Sequence, residues 1–342
     1  MDGRTRQVAV CSFAGPPSLW TIRWGAGSFS LDATSSDIPL IQPFALAADP
    51  AGHWLYLVEF GDDAALVVLR RPRESDADYD IIEKVPLPGV SGACTVRLSS
   101  DARHLAIAGY SSANVVLVKL TATGDGVSHV DTIAFKGSGP DPERQSVSHP
   151  HDAHFYGNTL LVADLGADAV HEVSLSDLSV RSSPLTAGSG PRHLVAIGDQ
   201  LFAVSGELDS TMMLLRLDGG MFHLLDSIPA TSRSVPDRNY PSTVIADVER
   251  NLVYLANRGA DSVMVARVVN DRLVPMREVP TGSAWPESLT LCDDHLLVAH
   301  SQGDSVVAIR LDDEGLPFEG DVNARTTIPS AMWVEALPDV RR

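Results

Sequence analysis

The chain has 342 residues, of which 44% are hydrophobic and 20% charged, and its formal net charge at pH 7 is -18. The hydrophobic content supports a large core and argues against disorder, while the negative charge argues against nucleic acid or an anionic membrane as a partner, since both need a basic surface. Three scattered cysteines, no signal peptide and no run of about 18 apolar residues predict a cytoplasmic protein without disulfide bonds.

Six segments share one pattern, in which a short apolar strand is followed by a polar turn rich in Gly and Asp and by a second strand with alternating faces, and a looser seventh copy opens the chain. In chain order they are VAVCSFAGPPSLWTI, LYLVEFGDDAALVVL, LAIAGYSSANVVLV, LLVADLGADAVHEV, LFAVSGELDSTMMLL, LVYLANRGADSVMVA and LLVAHSQGDSVVAI. Successive copies lie roughly 40 to 55 residues apart, which is the length of one four-stranded propeller blade. A stack of β-sandwiches is the less favoured alternative.

A second set of short strands precedes the copies, each beginning after Pro or Gly. The residues are Pro43, Gly92, Pro150, Pro191, Pro241, Pro286 and Pro329. The strand that begins at Pro329 has no copy of the pattern after it. The first copy of the pattern, at the N-terminus, has no short strand before it. We therefore predict an all-β fold, a single seven-bladed β-propeller over residues 1–342 with four-stranded antiparallel blades. A C-terminal strand at about 328–337 would complete the first blade, close the ring and remove its free edges.

Two sets of repeat positions are expected at one mouth of the central channel. The first two strands of a blade run antiparallel, so the start of the first strand and the end of the second lie at the same rim of the ring. The positions after Pro or Gly are Phe44, Ala93, His151, Arg192, Ser242, Glu287 and Ser330. The positions after the second strand are Phe60, Tyr110, Leu165, Glu207, Arg258 and Ser301. The charged and titratable members fall in blades four to seven, so this part of the mouth is the candidate site.

The stretch HPHDAHF, residues 149–155, contains three histidines and an aspartate, which are common metal ligands. Strand alternation directs His154 to the face opposite His151, packed between blades, and places His149 in the entering loop. The three rings therefore do not converge, and no metal site is predicted. Cys94 is expected to be an inert small residue. The repeated turn aspartates are expected to hydrogen-bond their own turns; these are Asp168, Asp261 and Asp304.

The segment GSGPDPERQSVSHPH, residues 137–151, resembles the lactonase-type seven-bladed propellers, as do GSGPRHL, GELDST, NRGADSV and SAWPESL further along the chain. That family includes bacterial 6-phosphogluconolactonase and the fungal carboxy-cis,cis-muconate cyclising enzyme. The resemblance implies four catalytic residues, which are His151, Arg192, Glu207 and Arg258. It also implies substrate contacts from Arg144, Gln145, His193 and Glu287. Members often carry Arg where this chain has Glu287, which argues against a doubly charged phosphate.

The resemblance implies hydrolysis of a small lactone without a cofactor. Glu207, or failing it His151, would be the general base, and His151 would protonate the leaving group. Arg192 and Arg258 would hold the substrate anion and the developing oxyanion. The alternatives are a cyclase, isomerase or lyase acting on an unsaturated or cyclic carboxylic acid, and a non-catalytic binding module. The partner is expected to be a small lactone or organic acid, and no oligomeric state is predicted.

Two long segments are expected to cover the mouth, and both contain Pro and arginine. Residues 136–150 include Arg144, and residues 229–241 include Arg233 and Arg238. Loops above a site can act as a lid, and ordinary solvated loops are the alternative.

Overall fold

The structure is a computed structural model, which describes residues 6–15, 18–25, 28–30, 38–72 and 79–339. These residues include no candidate membrane-spanning helix. Their regular elements are β-strands, which in chain order are β1 (Arg6–Ser12), β2 (Leu19–Gly25), β3 (Ser28–Ser30), β4 (Pro43–Ala48), β5 (Trp54–Glu59), β6 (Ala65–Arg70), β7 (Asp80–Pro86), β8 (Ala93–Leu98), β9 (His104–Gly109), β10 (Asn114–Leu120), β11 (Val127–Ala134), β12 (Pro150–Tyr156), β13 (Thr159–Asp164), β14 (Ala169–Ser174), β15 (Val180–Pro184), β16 (Pro191–Gly198), β17 (Leu201–Gly206), β18 (Thr211–Asp218), β19 (Met221–Pro229), β20 (Tyr240–Asp247), β21 (Leu252–Arg258), β22 (Ser262–Val269), β23 (Arg272–Pro280), β24 (Pro286–Cys292), β25 (His295–His300), β26 (Ser305–Leu311), β27 (Pro317–Thr327) and β28 (Ala331–Leu337).

The strands form seven four-stranded antiparallel sheets, and the protein is a seven-bladed β-propeller, as predicted. Six blades use four consecutive strands each, from β4–β7 to β24–β27. The first blade has the order β28-β1-β2-β3, so the C-terminal strand closes the ring. The innermost strands β28, β4, β8, β12, β16, β20 and β24 contact one another in that order around the channel. Side chains between the blades, such as Leu57, Ile107, Phe202 and Leu255, are fully buried and form the core.

A β-bulge interrupts the pairing near the start of six innermost strands. The interruptions lie at Pro43/Ala45, Ala93/Thr95, Pro150/Asp152, Pro191/Leu194, Pro241/Val244 and Pro286/Ser288. A bulge leaves a residue outside the ladder and redirects its side chain. The bulged residues are the predicted mouth positions, with one correction in blade three. Ala93 pairs with Gly109 in the same way as Pro150 pairs with Asp164. The residue equivalent to His151 is therefore Cys94 and not Ala93.

The turn aspartates connect neighbouring blades, and the prediction that they stabilise their own turns was wrong. Asp168 accepts hydrogen bonds from the backbone N–H groups of Gly188 and Gly190, which lead into the next blade. Asp261 accepts from the N–H of Trp285 in the same way. Asp304 accepts from the N–H of Ser330 and so links the last blade to the first. All three residues have φ angles of 47° to 49°, in the left-handed region that aspartate tolerates better than most residues.

We expect Asp168→Asn to lower the free energy of unfolding by about 1–3 kcal/mol, because the amide NH2 that replaces one carboxylate oxygen cannot accept and leaves a buried N–H donor without its acceptor. Asparagine tolerates the positive φ at this position, so the change tests the hydrogen bonds alone. The matched control is Asp177→Asn in an exposed turn of the same blade, where we expect a change within about 0.5 kcal/mol. Urea unfolding of the two variants measures both changes in the free energy of unfolding. Equal changes in the two variants would contradict the linking role of Asp168.

Candidate active site

The carboxylate of Glu207 lies at the centre of an arginine cluster at the channel mouth. Glu207 directly follows β17, and its Oε1 lies 2.6 Å from Nη2 of Arg144. Its Oε2 lies 2.6 Å from Nη2 of Arg258, at the end of β21, and 2.9 Å from Nε of Arg192, in the bulge of β16. The contact to Arg192 Nε is an ion pair without hydrogen-bond geometry. Blades four to six thus meet at one carboxylate.

Glu287, in the bulge of β24, supplies the second carboxylate of the cluster. Its Oε1 lies 2.7 Å from Nη2 of Arg192 and 3.2 Å from Nη1 of Arg258. Both glutamates are almost fully buried. Three guanidinium groups facing two carboxylates leave one net positive charge at the mouth, in a chain whose overall charge is -18. A single anionic group on a ligand would neutralise this site.

Arg144 is the most accessible of the three arginines. Its side chain is 34% exposed, compared with 11% for Arg258 and 3% for Arg192. Nη2 of Arg144 contacts Glu207 and lies 3.4 Å from the hydroxyl of Tyr110. Among the described residues nothing accepts a hydrogen bond from its Nε or Nη1. Arg144 therefore has donors to spare for an anionic ligand.

The arginines keep Glu207 ionised. Burial alone would raise the pKa of this carboxyl, but Arg258, Arg192 and Arg144 together outweigh burial and hold the pKa well below its usual range. A carboxylate stabilised in this way is a weak base. Both of its oxygens are also held by guanidinium groups, so Glu207 is better suited to orient these groups than to accept a proton from water.

His151 lies beside this cluster, on the bulge of β12. Its ring packs edge-on against Tyr110 and His193, with centroids 5.4 Å apart in each case, and its Nδ1 lies 3.7 Å from Sγ of Cys94. Burial and the charge of Arg192 lower the pKa of His151 well below that of a free imidazole. The ring is therefore neutral at pH 7. No described residue hydrogen-bonds its Nε2, so this nitrogen is available as a base.

His193 and Cys94 are buried neighbours of His151. Burial and Arg192 lower the pKa of His193, whose Nδ1 is buried without a hydrogen-bond partner. Burial raises the pKa of Cys94 to about 12, so its thiol stays protonated and unreactive, as predicted. His193 was predicted to contact substrate, and it lies 3.4 Å from Nη1 of Arg192 through its Nε2. Both residues shape the environment of His151 from inside the channel.

Comparison with known proteins decides the family. Residues 20–336 match the family described as "Lactonase, 7-bladed beta-propeller". The chain belongs to this family.

Individual relatives of this lactonase-family propeller are distant. An uncharacterized protein of Staphylococcus aureus (strain USA300) is 27% identical over 256 residues, which cover 69% of this chain and 72% of that protein. A Lactobacillus plantarum protein of known structure has a TM-score of 0.87 at 22% identity, covering 98% of this chain and 100% of that chain. A periplasmic gluconolactonase of Pseudomonas aeruginosa has a TM-score of 0.86 at 18% identity, with 98% and 99% covered. At these identities, the structural likeness shows the fold alone.

Gln145, which was predicted to contact substrate in this lactonase-family propeller, lies inside the protein. Its side chain is fully buried. Its Nε2 donates to the carbonyl of Leu165 and to Oδ1 of Asp168, and its Oε1 accepts from the N–H of Asp141. Every polar atom of the amide is thus used within the protein. The hydrogen bonds of its buried amide anchor the loop that contains Arg144 and so fix the position of the Arg144 backbone.

The three histidines of residues 149–155 differ in their surroundings. The ring of His149 stacks on Tyr110 at 4.4 Å and its Nδ1 contacts the Tyr110 carbonyl oxygen. His154 is half-buried, and burial together with Arg97 of the preceding blade lowers its pKa. Among the described residues no group of three or more His, Cys, Asp or Glu side chains is arranged to hold a metal ion.

The two predicted loops are in contact at the mouth. Arg238 of the second loop lies 3.9 Å from Asp141 of the first and also donates to the carbonyl of Leu208. Its guanidinium packs over the ring of Tyr240. These contacts support the loop that presents Arg144, and they place both loops over blades four to six.

Proposed function

We propose that this protein hydrolyses a lactone that carries one negative charge. One observation carries the proposal. Arg144, Arg192 and Arg258 converge on Glu207 and Glu287 with one net positive charge, next to the neutral imidazole of His151. Membership of the lactonase family supports an ester ring as the reacting group. The single excess charge favours a carboxylate over a doubly charged phosphate.

In this proposal Nε2 of His151 accepts a proton from a water molecule as the water oxygen attacks the lactone carbonyl carbon. The carbonyl oxygen becomes an oxyanion, which the guanidinium of Arg258 stabilises. The C–O bond to the ring oxygen then breaks, and the imidazolium returns its proton to that oxygen. The product is the open hydroxy acid. Arg144, with its free N–H donors, holds the carboxylate of the substrate and fixes its orientation.

Turnover of a matched pair of substrates tests the proposal. The pair is γ-butyrolactone and its β-carboxylate derivative, which differ by one negative charge. We expect the folded protein to hydrolyse the carboxylate with the higher kcat/KM, and Arg144→Gln to remove most of that preference by raising KM. No turnover of either compound, or equal kcat/KM for both, would contradict the proposal. An unsaturated acid as product would point instead to the lyase alternative, and it would equally overturn hydrolysis.

A further inference from the structure

The mouth of the channel has a second half, formed by blades one to three, and this half is aromatic. Phe44 lies in the bulge of β4, and Phe60 follows β5, in the positions that His151 and Glu207 occupy in their own blades. Phe13 directly follows β1. The rings of Phe44 and Phe60 stack at 5.0 Å, and Phe13 packs edge-on against them at 6.0 and 5.9 Å. We call these three residues the aromatic sector.

The aromatic sector keeps part of its ring surface exposed. All three rings are half-buried, and Phe44 and Phe60 pack on the core cluster that includes Cys94. Phenylalanine has no polar atom, so this sector offers apolar surface only. A hydroxyl group placed against it would lose its hydrogen bonds to water without replacement, which is unfavourable.

Tyr110 joins the aromatic sector to the charged half of the mouth. Tyr110 packs on the same core cluster as Phe44 and Phe60, and its ring lies 5.4 Å from His151. Its hydroxyl lies 3.4 Å from Nη2 of Arg144. Tyr110 therefore links the apolar rings to the arginine and the imidazole around the mouth.

We propose that the aromatic sector binds an apolar ring of the ligand, so that the site takes a ring-bearing organic monocarboxylate or its lactone and not a polyhydroxylated sugar acid. The inference rests on the proposed function in placing the ligand at this mouth. One half of the mouth provides the positive charge, and the other removes an apolar ring from water, where edge-to-face packing adds to the gain. The two halves together favour a ligand that has both a negative charge and an apolar ring.

Calorimetric titration with three monoanions tests this inference without any turnover. The ligands are acetate, gluconate and phenylacetate, which share a carboxylate and differ in the group beside it. We expect phenylacetate to bind to the wild-type protein at least roughly tenfold more tightly than acetate, as burial of a phenyl ring implies. Gluconate should bind no more tightly than acetate. Gluconate binding as tightly as phenylacetate would overturn the inference.

Substitution in the aromatic sector locates the effect. We expect Phe60→Ala to weaken phenylacetate binding roughly fivefold or more and to leave acetate binding unchanged. Phe60→Leu, which keeps an apolar side chain, should lose less of the affinity for phenylacetate. The matched control is Phe318→Ala, an exposed phenylalanine on the outermost strand of blade seven, which should change neither affinity. Unchanged phenylacetate affinity in folded Phe60→Ala would overturn the inference.

The binding result and the hydrolysis result are distinguishable. Selective binding of phenylacetate without turnover of any lactone would support the aromatic sector and contradict the proposed function. Hydrolysis with equal kcat/KM in wild type and Phe60→Ala, for a lactone that bears a phenyl ring, would support the proposed function and overturn the aromatic sector.

Discussion

We expect His151→Ala to lower kcat for lactone hydrolysis by roughly 10²- to 10⁴-fold, because the protein would lose the group that accepts the proton of the attacking water. KM should change little, since the arginines that hold the substrate remain. Initial rates measured at saturating substrate give the comparison. The matched control is His154→Ala, a half-buried histidine of the same strand that lies away from the arginine cluster. A His151→Ala protein with at least a tenth of wild-type kcat would contradict this role.

The pH profile of the wild-type protein tests the same assignment without a substitution. Burial and Arg192 lower the pKa of His151, so the base form persists below the pH at which a free imidazole becomes protonated. We therefore expect kcat/KM to stay level from pH 8 to below about 6.5 and to fall only in more acidic solution. A fall that begins between about pH 7 and 6.5 would mean that His151 is not the base, or that its imidazole is not buried.

We expect Glu207→Gln to lower the free energy of unfolding by about 3–5 kcal/mol, because removing one partner of a buried ion pair leaves the others uncompensated. Glu207 contacts three guanidinium groups, and only the carboxylate of Glu287 would remain to balance them. Urea unfolding at pH 7 measures the change. The matched control is Glu172→Gln, which removes a pair with the exposed Arg181 and should cost no more than about 1 kcal/mol.

The same variant separates two roles for Glu207. If Glu207 only orients the arginines, hydrolysis by folded Glu207→Gln should persist with a raised KM. A folded Glu207→Gln protein that has lost catalysis by roughly 10²-fold or more, with KM unchanged, would instead identify Glu207 as the base, and it would contradict the assignment of His151 to that role.

Most of the architecture could be predicted because it repeats. Each blade repeats its pattern of apolar strand and Gly-Asp turn, and the unmatched Pro329 strand at the C-terminus predicts ring closure. The position of His151, Arg192 and Glu287 at one mouth follows from the same repeat. Cys94 was misplaced by one residue because Gly92 does not mark the strand start as proline does, and the bulge that sets the register has no sequence signal of its own.

The contacts between blades could not be predicted, since they depend on how neighbouring repeats pack. Gln145 lies in the motif that carries Arg144, but its amide points inward to Asp168. The pairing of Glu287 with two arginines and the low pKa of His151 likewise depend on burial that the sequence does not record. The aromatic sector shows a similar gap: Phe44 and Phe60 stood at predicted mouth positions, but only packing with Phe13 makes them one surface.

A crystal structure of the His151→Ala protein with the β-carboxylate of γ-butyrolactone bound intact would test the position of the active site most directly. We predict that the ligand lies at the mouth formed by blades four to six, with its carboxylate in hydrogen-bond distance of the guanidinium of Arg144. Its lactone carbonyl should face Arg258 and the space left by the imidazole. A ligand bound at the opposite opening of the channel, or between blades away from these arginines, would contradict the proposed site.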